Sequence, residues 1–315
     1  TMTALNPHAR QVLDQMAASG APTLDQLTPV QARAAAQAGF LMLQGPKPEV
    51  ASTADLKAEG PAGPIPLRVY RPLGRRADER LPACLYFHGG GFVIGDLTLY
   101  DNLCRILANA ARCAVIAVDY RLAPEARFPA AVDDCWAATR WVAARADELR
   151  IDAQRLAVAG DSAGGNLAAV VALMARDAGG PGLRHQLLIY PVVQVAETES
   201  FKRNADGYFL TAKLMQYFVG HYLGDNAAAL SDWRLAPILA ASHAGLPPAS
   251  ILVCGFDPLH DDGVAYADTL RSAGVAVKFT SLPDQIHGFV CMDGAIPAAR
   301  PAIEALGREL AASLT

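Results

Sequence analysis

The sequence is short of charge. Asp, Glu, Lys and Arg make up 18% of its 315 residues, and the net charge at pH 7 is -4. So mild a balance sets up no field to attract nucleic acid or an acidic membrane surface, and it favours neutral, fairly apolar small molecules as partners. Long apolar runs are missing too: no stretch approaches the ~20 residues of a membrane span, and no basic region followed by an apolar core opens the chain. The expectation is a soluble, cytoplasmic protein without stable membrane insertion, in which Thr1 ahead of Met2 reads as a remnant of expression. None of the six cysteines forms a C-x-x-C pair, and several sit inside apolar runs, which argues for buried thiols in a reducing compartment rather than a disulfide framework. Repeats and low-complexity tracts are absent. What is abundant is apolar side chain, 52% of the total, as a buried parallel sheet requires. The length suits one large α/β domain with additions.

Two segments at helical spacing, 5–19 and 28–43, begin near Pro7, Pro22 and Pro29 and form an N-terminal arm. Residues 51–58 and 67–71 alternate as an antiparallel pair, separated by the turn-rich Gly60-Pro61-Ala62-Gly63-Pro64. From residue 81 the rhythm changes. Strand-like runs at 82–87, 113–118, 155–159, 186–190, 250–254 and 276–281 alternate with helical stretches near 98–111, 130–147, 163–177, 262–273 and 299–313. That alternation predicts a mostly parallel, doubly wound sheet. Residues 195–245 hold no strand and are rich in aromatics, so they read as an insertion between two strands. With the arm, residues 1–45, the insertion would cover the C-terminal ends of the strands, where open α/β sheets bind ligands. The catalytic core is then 46–194 and 246–315.

Two motifs follow strand-like runs directly. Gly160-Asp161-Ser162-Ala163-Gly164 is a G-x-S-x-G pentapeptide, in which a sharp strand-to-helix turn presents a serine hydroxyl and small neighbours avoid clashes. His88-Gly89-Gly90-Gly91-Phe92 is a glycine run able to aim backbone N–H groups at a substrate oxyanion. A serine needs a base, and the base needs an orienting group. Of seven histidines, His287 lies in a short loop after a strand, on the edge that carries Ser162, whereas His88 belongs to the glycine loop and serves its shape. Asp257 follows the apolar run 251–254 and is the candidate acid. Asp261 and Asp262 stand at a helix start, where carboxylates cap exposed N–H groups, and Asp284 is too near His287 in sequence to reach its ring easily. Adjacent residues such as His260-Asp261-Asp262 seldom converge on one ion, so no metal is expected, and no cofactor is required. The oxyanion donors are expected to be the N–H groups of Ala163, Gly89 and Gly90.

Around these, Asp119, Arg121 and Glu125 are expected to pair with one another and fix the loop after a strand, while Asp161 and Asn166 flank the nucleophile and are best explained by capping and loop support.

Together the residues resemble the hormone-sensitive lipase-like branch of the α/β-hydrolases, including the bacterial family IV carboxylesterases. Nearly the whole chain takes part. The motifs are His88-Gly89-Gly90-Gly91, Asp119-Tyr120-Arg121-Leu122-Ala123-Pro124-Glu125, Gly160-Asp161-Ser162-Ala163-Gly164-Gly165-Asn166, Asp257-Pro258-Leu259 and Ile286-His287-Gly288-Phe289, in that order. The resemblance implies an α/β-hydrolase fold, an eight-stranded sheet with a helical cap from the arm and an insertion after the sixth strand. It implies Ser162, Asp257 and His287 as a triad, and Gly89, Gly90 and Ala163 as the oxyanion hole. The implied activity is hydrolysis of short to medium acyl esters through an acyl-enzyme. Amides, lactones, carbamates and acetylated small molecules remain alternatives, as does a non-catalytic receptor on the same fold. The last strand, 276–281, reads as a sheet edge able to pair with a second copy, and the resemblance is compatible with a homodimer, the oligomeric state staying open.

Overall fold

The computed structural model describes residues 3–315; the expectation for Thr1 and Met2 lies outside the described residues. One eight-stranded sheet organises the chain, in the order β1-β2-β4-β3-β5-β6-β7-β8. β1 (Ser52–Gly60) and β2 (Gly63–Arg71) form the expected hairpin, closed by the two-residue turn Pro61-Ala62 with Gly60 opposite Gly63. β2 then runs antiparallel to β4 (Ala114–Val118) through residues 67–70. β2 starts earlier than the sequence expectation because its prolines are tolerated: Pro66 precedes this ladder and turns its carbonyl, not an N–H, to Asp119. The remaining strands, β3 (Leu81–Phe87), β5 (Ile151–Asp161), β6 (Leu183–Ile189), β7 (Ala249–Phe256) and β8 (Val277–Ile286), are parallel to their neighbours.

Alternate residues of each central strand enter opposite cores. Ala83, Leu85 and Phe87 face the layer of α4 (Ala130–Ala144), α5 (Ala163–Asp177) and α8 (His260–Ser272). Cys84 and Tyr86 face α3 (Asp101–Ala111) and α9 (Ala299–Ser313). Burial on both faces is why these strands read as continuous apolar runs. α3 begins at Asp101 rather than 98, since the Asp96 carboxylate accepts from the N–H groups of Thr98 and Leu99 and holds them in a turn.

The arm comprises α1 (Pro7–Ala18) and α2 (Pro29–Leu43). α1 is capped by the Asn6 side chain, and α2 by a Thr28/Gln31 capping box. Between β6 and β7 the insertion carries α6 (Glu199–Arg203), α7 (Ala212–Leu223) and short 3-10 turns, with no strand. Arm and insertion meet: the Tyr217 hydroxyl donates to Leu27 O at 3.0 Å, and Phe40 packs edge-on against Phe209 with centroids 5.5 Å apart. No helix among the described residues is long and apolar enough to cross a membrane.

Candidate active site

β5 ends at Asp161 and α5 begins at Ala163, leaving Ser162 alone at the turn with φ 57° and ψ -118°. Such a conformation in a residue other than glycine costs on the order of 1–3 kcal/mol and persists only where its surroundings hold it. Here Ser162 N donates to Ile189 O at 2.8 Å, and Asn166 N donates to Ser162 O at 3.0 Å. The flanking motif residue is dictated by packing, since a Cβ on Gly164 would overlap the Phe87 carbonyl.

The hydroxyl reaches a buried relay. Ser162 Oγ lies 2.9 Å from His287 Nε2, and His287 Nδ1 lies 2.7 Å from Asp257 Oδ2. A carboxylate only accepts, so Nδ1 carries the proton and Nε2 is free to accept from the serine hydroxyl. Asp257 is fully buried; its other oxygen accepts from Leu259 N at 2.8 Å. Ser162, Asp257 and His287 stand at the C-terminal ends of β5, β7 and β8, the edge where α/β sheets bind ligands. The structure thus brings the three residues into one hydrogen-bonded line.

The rival acids do other work, and not the helix capping expected from sequence. Asp262 accepts from Val193 N (2.9 Å), Gln194 N (3.3 Å) and Gln194 Nε2 (3.3 Å), and Asp261 accepts from Ser200 N at 2.8 Å. Both therefore tie the start of the insertion to α8. Burial pushes the Asp262 carboxyl up to about 7. Asp284 accepts from the Asn6 side chain at 3.0 Å, so it belongs to the arm contact. Among the described residues no group of three metal-ligating side chains converges.

In the glycine loop His88 is buried, with Nδ1 2.6 Å from Gly89 O and its ring stacked on Tyr120 at 4.3 Å. Burial lowers its pKa to about 4, so the ring is neutral and shapes the loop. The expectation for Gly89 is corrected: its N–H donates to Asp161 Oδ1 at 2.9 Å and is already spent. Asp161 also accepts from the Tyr86 and Tyr100 hydroxyls at 2.8 and 2.9 Å, which makes it the support of the loop. The N–H groups of Gly90 and Gly91, at φ 115° and 59°, have no acceptor among the described residues. Ala163 opens α5, where an N–H lacks an intrahelical partner.

A second correction concerns Asp119, Arg121 and Glu125, which do not pair with one another. Arg121 forks onto Asp134, with contacts of 2.8 to 3.1 Å, and Glu125 pairs with Arg33 at 2.7 Å. Asp119 makes no side-chain hydrogen bond among the described residues, and burial lifts its carboxyl to about 6. Arg33 was missed by sequence reasoning. From α2 it donates to Val93 O and Ala123 O, both at 2.8 Å, and so fastens the arm beside the glycine loop. Partners 60 and 90 residues away leave no local signal. The Asn166 side chain makes no hydrogen bond to the Ser162 hydroxyl: its Nδ2 bridges Val192 O, just ahead of the insertion, and Leu235 O within it, at 2.9 and 2.7 Å.

Above Ser162 and His287 lies a cavity of about 540 Å³. Leu24 and Phe40 of the arm line it together with Phe209, Leu214, Phe218 and Tyr222 of the insertion. Its walls are mostly apolar, and Ser162 and His287 are among the residues that line it.

The chain is similar to known proteins over most of its length. A family described as the alpha/beta hydrolase fold matches residues 84–291. Esterase LipI of Mycobacterium tuberculosis is 47% identical over 79% of this chain and 78% of its own. The ethyl acetate hydrolase of Pseudomonas putida is 44% identical over 75% of this chain and 74% of its own. Among solved structures, an ester-hydrolase from the metagenome of Lake Arreo superposes with a TM-score of 0.95 at 44% identity, covering 98% of both chains. The hyperthermophilic esterase of Pyrobaculum calidifontis gives 0.91 at 40% identity, covering 98% of this chain and 99% of its own. With more than half its length inside that family and its motifs those of the hormone-sensitive lipase-like branch, the chain belongs to the α/β-hydrolases.

Proposed function

We propose that this protein hydrolyses carboxylic esters of short to medium acyl chain through an acyl-enzyme on Ser162. The observation that carries the reading is the unbroken line Asp257, His287, Ser162, with steps of 2.7 and 2.9 Å, whose Ser162 and His287 line a mostly apolar cavity. His287 takes the serine proton as Oγ attacks the ester carbonyl, and Asp257 holds the imidazole and balances its charge. His287 then returns the proton to the departing alcohol, and water repeats the cycle on the acyl-enzyme. The tetrahedral oxyanion is held by the N–H groups of Gly90, Gly91 and Ala163; Gly91 replaces Gly89, whose amide serves Asp161. Each such donor supplies roughly 3 kcal/mol in the transition state.

In this reading residues 1–45 and 195–245 form a cap that sets acyl and alcohol preference, and 46–194 with 246–315 form the catalytic core. Names of relatives such as ethyl acetate hydrolase support small esters as substrates. Six free, buried cysteines suit a reducing compartment and support a cytoplasmic setting. The open edge at β8 suits pairing with a second copy.

The test is a panel of p-nitrophenyl esters from acetate to laurate, assayed with wild type and Ser162→Ala. Turnover is expected on the shorter esters, and the variant is expected to lose at least about a thousandfold in kcat. Persisting activity in Ser162→Ala would sink the mechanism. Since His287 must be neutral to act, activity is expected to rise from acid toward neutral and mildly alkaline pH.

A further inference from the structure

Just past the end of β6, Tyr190 combines three features that the reaction above leaves unexplained. Its backbone sits at φ 34°, a costly region for a residue with a Cβ. It is fully buried, yet its hydroxyl has no hydrogen-bond partner among the described residues, which is unusual for tyrosine. Its ring lies 4.2 Å from the imidazole of His287, centroid to centroid, at an angle of 46°. The strained turn is itself pinned, since Tyr190 N donates to Leu252 O at 2.7 Å, while the preceding residue, Ile189, accepts from Ser162 N at 2.8 Å. A strained backbone is therefore held at the one residue whose ring lies against the proposed base.

We propose that Tyr190 is a positioning residue for the proton relay: its ring walls His287 into the orientation that joins Asp257 to Ser162 and stabilises the imidazolium formed as the serine attacks. An aromatic ring attracts a nearby cation, so this contact strengthens when His287 becomes charged and adds little while it is neutral. That is the difference between ground and transition state on which rate depends. The proposal rests on His287 acting as the base. The charged groups around the imidazole are the Asp257 carboxylate on Nδ1 and the Asp161 carboxylate, which is close enough for the two charges to act on each other. Cys254 and Cys291 also stand near Tyr190, but burial raises both thiols, so they stay neutral. None of these groups changes in the variants below.

The experiment compares Tyr190→Phe, Tyr190→Leu and replacement of Tyr190 by pentafluorophenylalanine. The readouts are kcat and KM on a p-nitrophenyl ester, and the acid limb of kcat/KM from about pH 5 to 9. Phenylalanine keeps the ring face and should stay within about twofold of wild type, with an unmoved acid limb. Leucine removes the face and pentafluorophenylalanine inverts its electrostatics at nearly constant shape. Both should lower kcat roughly 2- to 30-fold with little change in KM and should move the acid limb to lower pH. Melting curves identify any variant that fails to fold, and the fluorinated ring still decides the question if leucine is lost. A fluorinated enzyme with wild-type kcat and an unmoved limb overturns the proposal. An effect on KM alone does so too. If Ser162→Ala is inactive and the Tyr190 variants behave as wild type, only the role of Tyr190 falls; if Ser162→Ala stays active, the reading beneath it falls.

Discussion

Asp161 touches no substrate in the proposed reaction, yet three donors converge on it: Gly89 N–H and the hydroxyls of Tyr86 and Tyr100. Removing the carboxylate leaves all three buried and unpaired, at about 1–3 kcal/mol for each group that finds no new partner. Asp161→Ala is therefore expected to lose a few kcal/mol in urea unfolding, and to lose more in kcat than in KM, because the glycine loop loses the group that sets its position. A variant with wild-type kcat would show that the loop holds its shape without this support. At this scale the sequence was legible where a motif names one residue, as at Ser162, and less so where it offers equals. Three adjacent glycines look alike, and only the aim of Asp161 reveals that Gly89 is the one already bonded. Likewise Arg121 stands between two acids in its own segment but bonds to Asp134, 13 residues on, because α4 brings that carboxylate under it. Sequence proximity says nothing of such a choice.

Elements flanked by clear signals match their expectations, as with α5 at 163–177 and α9 at 299–313, where long helical spacing leaves little choice of end. β8 runs on to Ile286 instead of stopping at 281, since Pro283, Asp284 and Gln285 look like loop text while pairing with β7 continues to Phe256 opposite Ile286. The anchorage of the insertion was not legible, because a carboxylate at the start of α8 has a local explanation, capping, that competes with the distant one the structure adopts. Asp262 makes that anchorage testable through pH. Its folded pKa of about 7 stands above the usual carboxylate value of 3.8. The folded state therefore binds this proton more tightly, so the contribution is fully present below about pH 4 and is lost as pH rises through 7. Asp262→Asn cannot titrate there. Wild-type melting temperature should accordingly fall between pH 5 and 8 relative to that of Asp262→Asn, with other titrating groups common to both. Parallel curves would mean that Asp262 titrates at the same pH folded and unfolded.

For the whole molecule, the sheet ends in two edges of different character. β1 carries Asp55, Lys57 and Glu59, charges of the kind that discourage edge pairing. β8 carries only Lys278 between Val277 and Pro283, and its far end is covered by the arm, where Asn6 N donates to Asp284 O at 2.8 Å. The stretch 277–282 is thus extended, poorly charged and bordered by β7 on one side alone. Two copies related by a two-fold axis can pair these stretches antiparallel, each contributing the same residues, which closes the assembly at two. Light scattering is expected to give twice the 33.2 kDa chain mass at micromolar concentration. Ser281→Lys, at an exposed position of that strand, adds a like charge on both sides of the axis. This variant should shift the population to monomer while leaving esterase turnover unchanged, because Ser281 is remote in the strand from His287 at its end. Wild-type scattering at one chain mass throughout that range would instead leave β8 as an edge protected by its own twist and by the arm.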